Sequence, residues 1–120
     1  MSVQTITLVT IQVRGFDAMV AWYRDVLGLS VVWKEQNEFC TLSAPGGGAV
    51  IALATDHPDR INPNPRTGWT PTFSVDDFDA TLTSLRAAGT VLDADEEGSD
   101  EGYRLVRIRD PEGNVIGISA

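Results

Sequence analysis

Histidine and cysteine are almost missing from this chain of 120 residues, which has one of each, His57 and Cys40. A single cysteine excludes an intrachain disulfide. With no histidine near it in sequence, Cys40 reads as a small buried hydrophobe in a strand, not an activated nucleophile. His57 stands beside Pro58 in a polar stretch and reads as a surface residue, so no imidazole-based metal cage or Ser-His-Asp set is visible. Basic residues are scarce as well: nine against seventeen acids give a net charge of −8. Such a chain repels phosphate backbones, and with no basic stripe it is expected to bind no nucleic acid. No run approaches the roughly 18 apolar residues of a membrane span, and the opening MSVQTITLVT lacks the basic start and apolar core of a secretory signal. No membrane partner is expected, and a cytoplasmic location is.

What the chain does have is an internal repeat. Val13, Phe16, Asp17, Ala18, Val20 and Arg24 return as Val75, Phe78, Asp79, Ala80, Leu82 and Arg86, a constant offset of 62. Later, PGGGAVIAL (Pro45 to Leu53) is echoed by PEGNVIGI (Pro111 to Ile118). Two copies of one supersecondary unit imply a paired module; a solenoid would need three or more.

Within each copy the hydrophobic period changes in the same order. Thr5 to Val13 is rich in β-branched residues and predicts a strand, after which Phe16, Met19, Val20, Tyr23 and Leu27 follow helical spacing up to Gly28. Ser30 to Glu35, Phe39 to Ser43 and Ala49 to Ala54 complete a βαβββ module. Residues 55–68 hold Pro58, Pro63 and Pro65 and read as a linker between module one (1–54) and module two (69–120) of a single domain. In the second module, Trp69 to Val75 is the first strand, and Asp76 or Asp77 is the N-cap of a helix through Ala88. Strands then follow near Thr90 to Ala94, Tyr103 to Arg109 and Asn114 to Ser119, the last two joined by the turn DPEGN. Six acids between Asp93 and Glu101 mark a solvated hairpin tip or, alternatively, a fence for a cationic ligand. The expected fold is α+β: two βαβββ modules forming a concave, curled sheet with helices outside.

Strand alternation assigns faces. Val9, Ile11 and Val13 should meet the first helix, leaving Ile6, Leu8, Thr10 and Gln12 on the other side. The repeat places Thr70, Thr72 and Ser74 on the same opposite side, with Ala52 and Gly117 from the two closing strands.

The phrases FDAMVAWYRDVLGLSVVW, VDDFDATLTSLRAAG and RDPEGNVIGIS resemble, in order and spacing, the vicinal oxygen chelate superfamily of glyoxalase I, extradiol dioxygenases, and fosfomycin- and bleomycin-resistance proteins. The resemblance implies the paired-module fold and, in the family's enzymes, a divalent metal held by His and Glu from both modules. Counting along the repeat, those four positions fall here at Leu8, Ala52, Thr70 and Gly117, none of which supplies an imidazole or carboxylate. This copy is therefore expected to use no metal, no cofactor and no catalytic residue.

What remains is a partly apolar groove. Candidate ligand-binding residues are Leu8, Thr10, Ala52, Thr70, Thr72 and Gly117 on its floor, with Trp33 and Trp69 at strand ends as rim or core residues. Phe39 and Tyr103 follow by alternation, and Arg107 is either an orienting cation or a surface charge paired with the acidic hairpin. Trp22, beside Tyr23, reads as packing. The metal-free relatives implied by the resemblance are homodimers that sequester a drug. The expected partners are thus a small aromatic molecule such as an antibiotic, and a second copy of the chain. The competing expectation is a lyase, isomerase or dioxygenase-like enzyme acting without the usual metal ligands.

Overall fold

The computed structural model describes residue 4 and residues 7–55, 71–92, 97–98 and 104–120. His57, Trp69, Thr70, Tyr103 and most of the expected linker lie outside the described residues. The chain divides into two compact units, Met1–Pro63 and Asn64–Ala120.

The first unit runs β1 (Leu8–Val13), α1 (Phe16–Asp25), β2 (Ser30–Glu35), β3 (Phe39–Ser43) and β4 (Val50–Thr55). Its open sheet has the order β1-β4-β3-β2, with β1 parallel to β4 and the other pairs antiparallel. Helical spacing makes α1 two-faced: Phe16, Met19, Val20 and Tyr23 are buried, while Asp17, Ala18, Arg24 and Asp25 face water. Register pairs share a sheet face, so Val9 with Ile51, Ile11 with Leu53, and Leu42 with Ile51 form the face toward α1. Lys34 confirms the side. It pairs with Cys40 in register and reaches Asp17 (3.9 Å) and the Phe16 ring (5.8 Å to its centroid), both on α1.

Cys40 is fully buried on this core face, and burial pushes its thiol pKa up, against a weaker opposing pull from Lys34. Trp22 packs edge-on against Tyr23 with ring centroids 5.0 Å apart. Burying side chains the size of Leu42, Leu53 and Met19 stabilises by about 1.5–3 kcal/mol each, which is what fixes the helix on this face.

The second unit repeats the plan with β5 (Thr72–Ser74), α2 (Phe78–Ala87), β6 (Val91–Leu92), β7 (Glu97–Gly98), β8 (Arg104–Arg109) and β9 (Val115–Ser119). Sheet order is β5-β9-β8-β6, and β5 lies parallel to β9 as β1 does to β4. One short element was not expected: β7 falls within the acidic stretch and pairs with β8. Of the two cap candidates, Asp77 is the one used, its carboxylate accepting from the Ala80 N–H at 3.0 Å. The helix ends in paired bonds, Gly89 N–H to Arg86 O and Thr90 N–H to Leu85 O, which require the left-handed φ of +76° that Gly89 adopts without a Cβ penalty.

The core of this unit is Phe78, Leu82 and Leu85 of α2 with Val106, Ile108, Ile116 and Ile118 of the sheet. Arg104 clamps the helix from the sheet, its guanidinium 4.3 Å from the Phe78 ring centroid and 3.0 Å from Asp79. The repeated Phe-Asp pair thus receives a cation in both units, Lys34 on Phe16-Asp17 and Arg104 on Phe78-Asp79. The buried Asp110 organises the DPEGN turn: it accepts from the backbone N–H groups of Glu112 and Asn114 (both 2.9 Å) and from the Asn114 side-chain amide (2.7 Å). Neither described helix is long and apolar enough to cross a membrane.

Candidate functional site

On the face of the first sheet away from α1, the register brings sequence-distant residues into rows. Thr10 pairs with Ala52, Ala52 with Thr41, and Thr41 with Trp33, giving one row across all four strands. The adjacent row is Gln12, Ala54, Phe39 and Glu35. Leu8 stands on the same face two residues before Thr10. Five of the expected site residues, Leu8, Thr10, Trp33, Phe39 and Ala52, therefore share this face.

Trp33 does not end its strand, as expected from sequence, but sits inside β2. The register shifts between Val31 and Trp33, so a bulge re-aims the indole onto the face away from the helix. It is 52% exposed, and its ring meets Phe39 edge-on at 5.9 Å between centroids. Ala52 and Ala54 form the buried floor beside it. Three more polar residues share this face without having been among the candidate binding residues, Thr41, Glu35 and Gln12, of which strand alternation had assigned only Gln12 to it. The Gln12 Oε1 is buried with no hydrogen-bond partner among the described residues. The two-residue period from Leu8 through Thr10 is the signal that placed Gln12 on this face, as the register shows.

On the corresponding face of the second sheet, Thr72 pairs with Gly117 and Gly117 with Arg107. These are three more of the expected site residues. Thr72 and Arg107 are exposed and Gly117 is buried between them. Arg109 shares the face, half-buried, and donates from Nη1 to Gly113 O at 3.1 Å. Thr70, Trp69 and Tyr103 are not among the described residues, nor is most of the acidic stretch with which Arg107 was expected to pair as an alternative.

The family's metal can be tested against these positions. Leu8 offers hydrocarbon and Ala52 a buried methyl. Gly117 offers no side chain, and the Thr72 hydroxyl lies 2.6 Å from where a Cβ on Gly117 would stand. The donor chemistry does not fit a divalent metal. Among the described residues, no group of three His, Cys, Asp or Glu side chains comes together to hold one.

A βαβββ unit and a second one that adds the short strand β7 to the same plan, with β1-β4 and β5-β9 in parallel, define the glyoxalase-like class of fold. The profile of the Glyoxalase/Bleomycin resistance protein/Dioxygenase superfamily matches residues 5–118, and the chain belongs to that superfamily. Among solved structures it is similar to a glyoxalase/bleomycin resistance protein/dioxygenase family enzyme from Burkholderia phytofirmans PsJN, with a TM-score of 0.80 and 20% identity over 97% of this chain and 98% of the other. A superfamily member from Sphaerobacter thermophilus DSM 20745 gives 0.79 at 22% identity over 98% and 97%. Lactoylglutathione lyase from Agrobacterium tumefaciens gives 0.73 at 26% identity over 96% and 92%. No curated protein matches the chain.

Proposed function

We propose that the chain binds a flat, partly aromatic small molecule and sequesters it without a metal, an antibiotic or related metabolite being the ligand class that superfamily membership favours. The observation that carries this reading is the half-exposed Trp33 indole, held by Phe39 over an alanine floor at a place where the family's metal donors are replaced by Leu8 and Ala52. An indole anchored on one edge offers its remaining surface for stacking, worth about 0.5–1.5 kcal/mol beyond area burial. A second copy of the chain is the proposed partner. All six residues of the edge strand β2 are exposed, with Val31, Val32 and Trp33 among them, and covering such an edge is a common use of twofold association.

The competing reading is enzymatic, and the likeness to a lactoylglutathione lyase favours it. Titrating tryptophan fluorescence with bleomycin and other aromatic natural products, then weighing the recovered ligand by mass spectrometry, separates the two. Sequestration predicts saturable quenching, loss of several-fold or more in affinity in Trp33→Ala, and an unchanged ligand mass. A ligand altered at turnover establishes the enzyme. Elemental analysis finding about one divalent metal bound per chain defeats the metal-free half, and sedimentation showing only monomer at micromolar concentration defeats the dimer.

A further inference from the structure

We infer that the first sheet holds a site for an organic cation, made by the Trp33 and Phe39 rings with the Glu35 carboxylate beside them, so that the flat ligand proposed above is one that carries a protonated amine. This assignment names the ligand class of the same face and rests on the reading above.

The protein builds the same combination twice in its own packing. On α1, the Phe16 ring and the adjacent Asp17 carboxylate receive Lys34, 5.8 Å from the ring centroid and 3.9 Å from the carboxylate. On α2, the Phe78 ring and Asp79 receive Arg104, at 4.3 Å and 3.0 Å. A ring face attracts a cation through its quadrupole, and a carboxylate beside it adds a direct charge and an acceptor. Together they mark where a positive group is held.

A third ring and carboxylate stand on the face away from α1. Glu35 and Phe39 are register partners in the β2-β3 hairpin, and such partners have Cβ atoms about 4.5–5.5 Å apart. Trp33 lies two residues before Glu35 on the same side, about 6.7 Å along the strand, and its ring reaches Phe39, the partner of Glu35, at 5.9 Å between centroids. Both rings and the carboxylate thus gather at one end of the face. Glu35 is exposed, and so is about half of the indole. Among the described residues, no cation meets Glu35 or stands over either ring. Lys34 projects from the opposite side of β2 and is held by Asp17, and Arg14 follows β1, three strand spacings or about 14 Å from β2. The cation that completes this third set therefore comes with a ligand. A protonated amine supplies N–H donors for Glu35 and positive charge for the ring faces, and the net charge of −8 favours its approach over that of an anion.

The test follows the backbone amides of Trp33, Glu35 and Phe39 by nuclear magnetic resonance in the labelled full chain. The probes are naphthylmethylamine, naphthylmethanol and naphthoate, which share a flat ring and differ in charge, and the non-aromatic cyclohexylamine. Saturable shifts are expected with the naphthyl amine and alcohol, the amine binding tighter by about three- to tenfold, the naphthoate weakest, and raised salt narrowing the gap. Glu35→Gln should bring the amine to the level of the alcohol and leave the alcohol unchanged. Asp76→Asn, an equal change of charge at an exposed position of the second unit, should preserve the gap. Equal affinity for amine and alcohol in the wild type, a gap that persists in Glu35→Gln, or one lost equally in Asp76→Asn overturns the cation site while the flat-ligand reading stands. Glu35-dependent binding of cyclohexylamine, in a protein that takes none of the naphthyl probes, leaves the cation site standing while the flat-ligand reading fails. No saturable shift with any probe overturns both.

Discussion

The side chain of Thr72 occupies the space that a Cβ on Gly117 would need, with Oγ1 2.6 Å, Cγ2 3.1 Å and Cβ 3.2 Å from that point. The two residues are register partners on adjacent parallel strands, so neither can withdraw without disturbing the β5-β9 ladder. Elsewhere in a strand, Gly→Ala gains about 0.5–1 kcal/mol from reduced chain freedom. Here the contact outweighs that gain. Gly117→Ala should cost about 1–3 kcal/mol, the usual range for overpacking, and Thr72→Ala introduced with it should recover most of the loss. Urea unfolding of the two single variants and the double variant measures the coupling. Additive effects would mean that the strands spread freely and the close approach has no energetic consequence.

Asp110 is the buried acid of the described core, at 4% exposure, and three donors converge on its carboxylate. Removing it leaves the Glu112 and Asn114 amides without their acceptor in the turn between β8 and β9. Asp110→Ala should destabilise by about 1.5–3 kcal/mol, and Asp110→Asn by less because one carbonyl oxygen remains. Hydrogen exchange at the Asn114 amide reads the effect locally; unchanged protection in Asp110→Ala would show that the backbone bonds alone hold the turn.

Asp79 titrates with its environment. The hydrogen bond from Arg104, followed by its charge, holds the Asp79 carboxyl below its usual range. A folded pKa below the unfolded one gives stability that is present above the unfolded value and lost as pH falls through the folded one. The wild type should therefore exceed Asp79→Asn in stability at about pH 6, and the difference should shrink through the acid range below the ordinary carboxylate pKa. The pair is exposed, so the difference should be small and diminished by salt. Urea midpoints for both proteins across this range provide the measurement, and a gap that widens on acidification would contradict the sign.

Much of the fold was legible in the sequence because its signals are local. Helical spacing from Phe16 to Tyr23 and from Phe78 to Leu85, an aspartate cap at 76 or 77 and the DPEGN turn each act within a few residues; the structure chose Asp77. The 62-residue repeat carried one module's reading to the other. The bulge before Trp33 was not legible, since it is a property of the β2-β3 pairing and not of either strand. The same holds for the β7 pairing and for the cations on the two Phe-Asp pairs, which are distant in sequence and meet only when sheet and helix pack.

For the candidate site, the sequence by itself determined which side chains stand at the four positions that the resemblance marks for metal ligands, Leu8, Ala52, Thr70 and Gly117, none of them an imidazole or a carboxylate. It also determined the paired βαβββ plan, because hydrophobic period and turn residues act on the chain locally. Only the tertiary structure decided which polar groups stand together. Strand register places Thr10, Ala52, Thr41 and Trp33 in one row and Thr72, Gly117 and Arg107 in another, and register is set by long-range ladder bonds and core burial. A slip of one residue would turn every one of these side chains to the opposite face, so the buried helix-facing residues, by fixing the register, also fix the site.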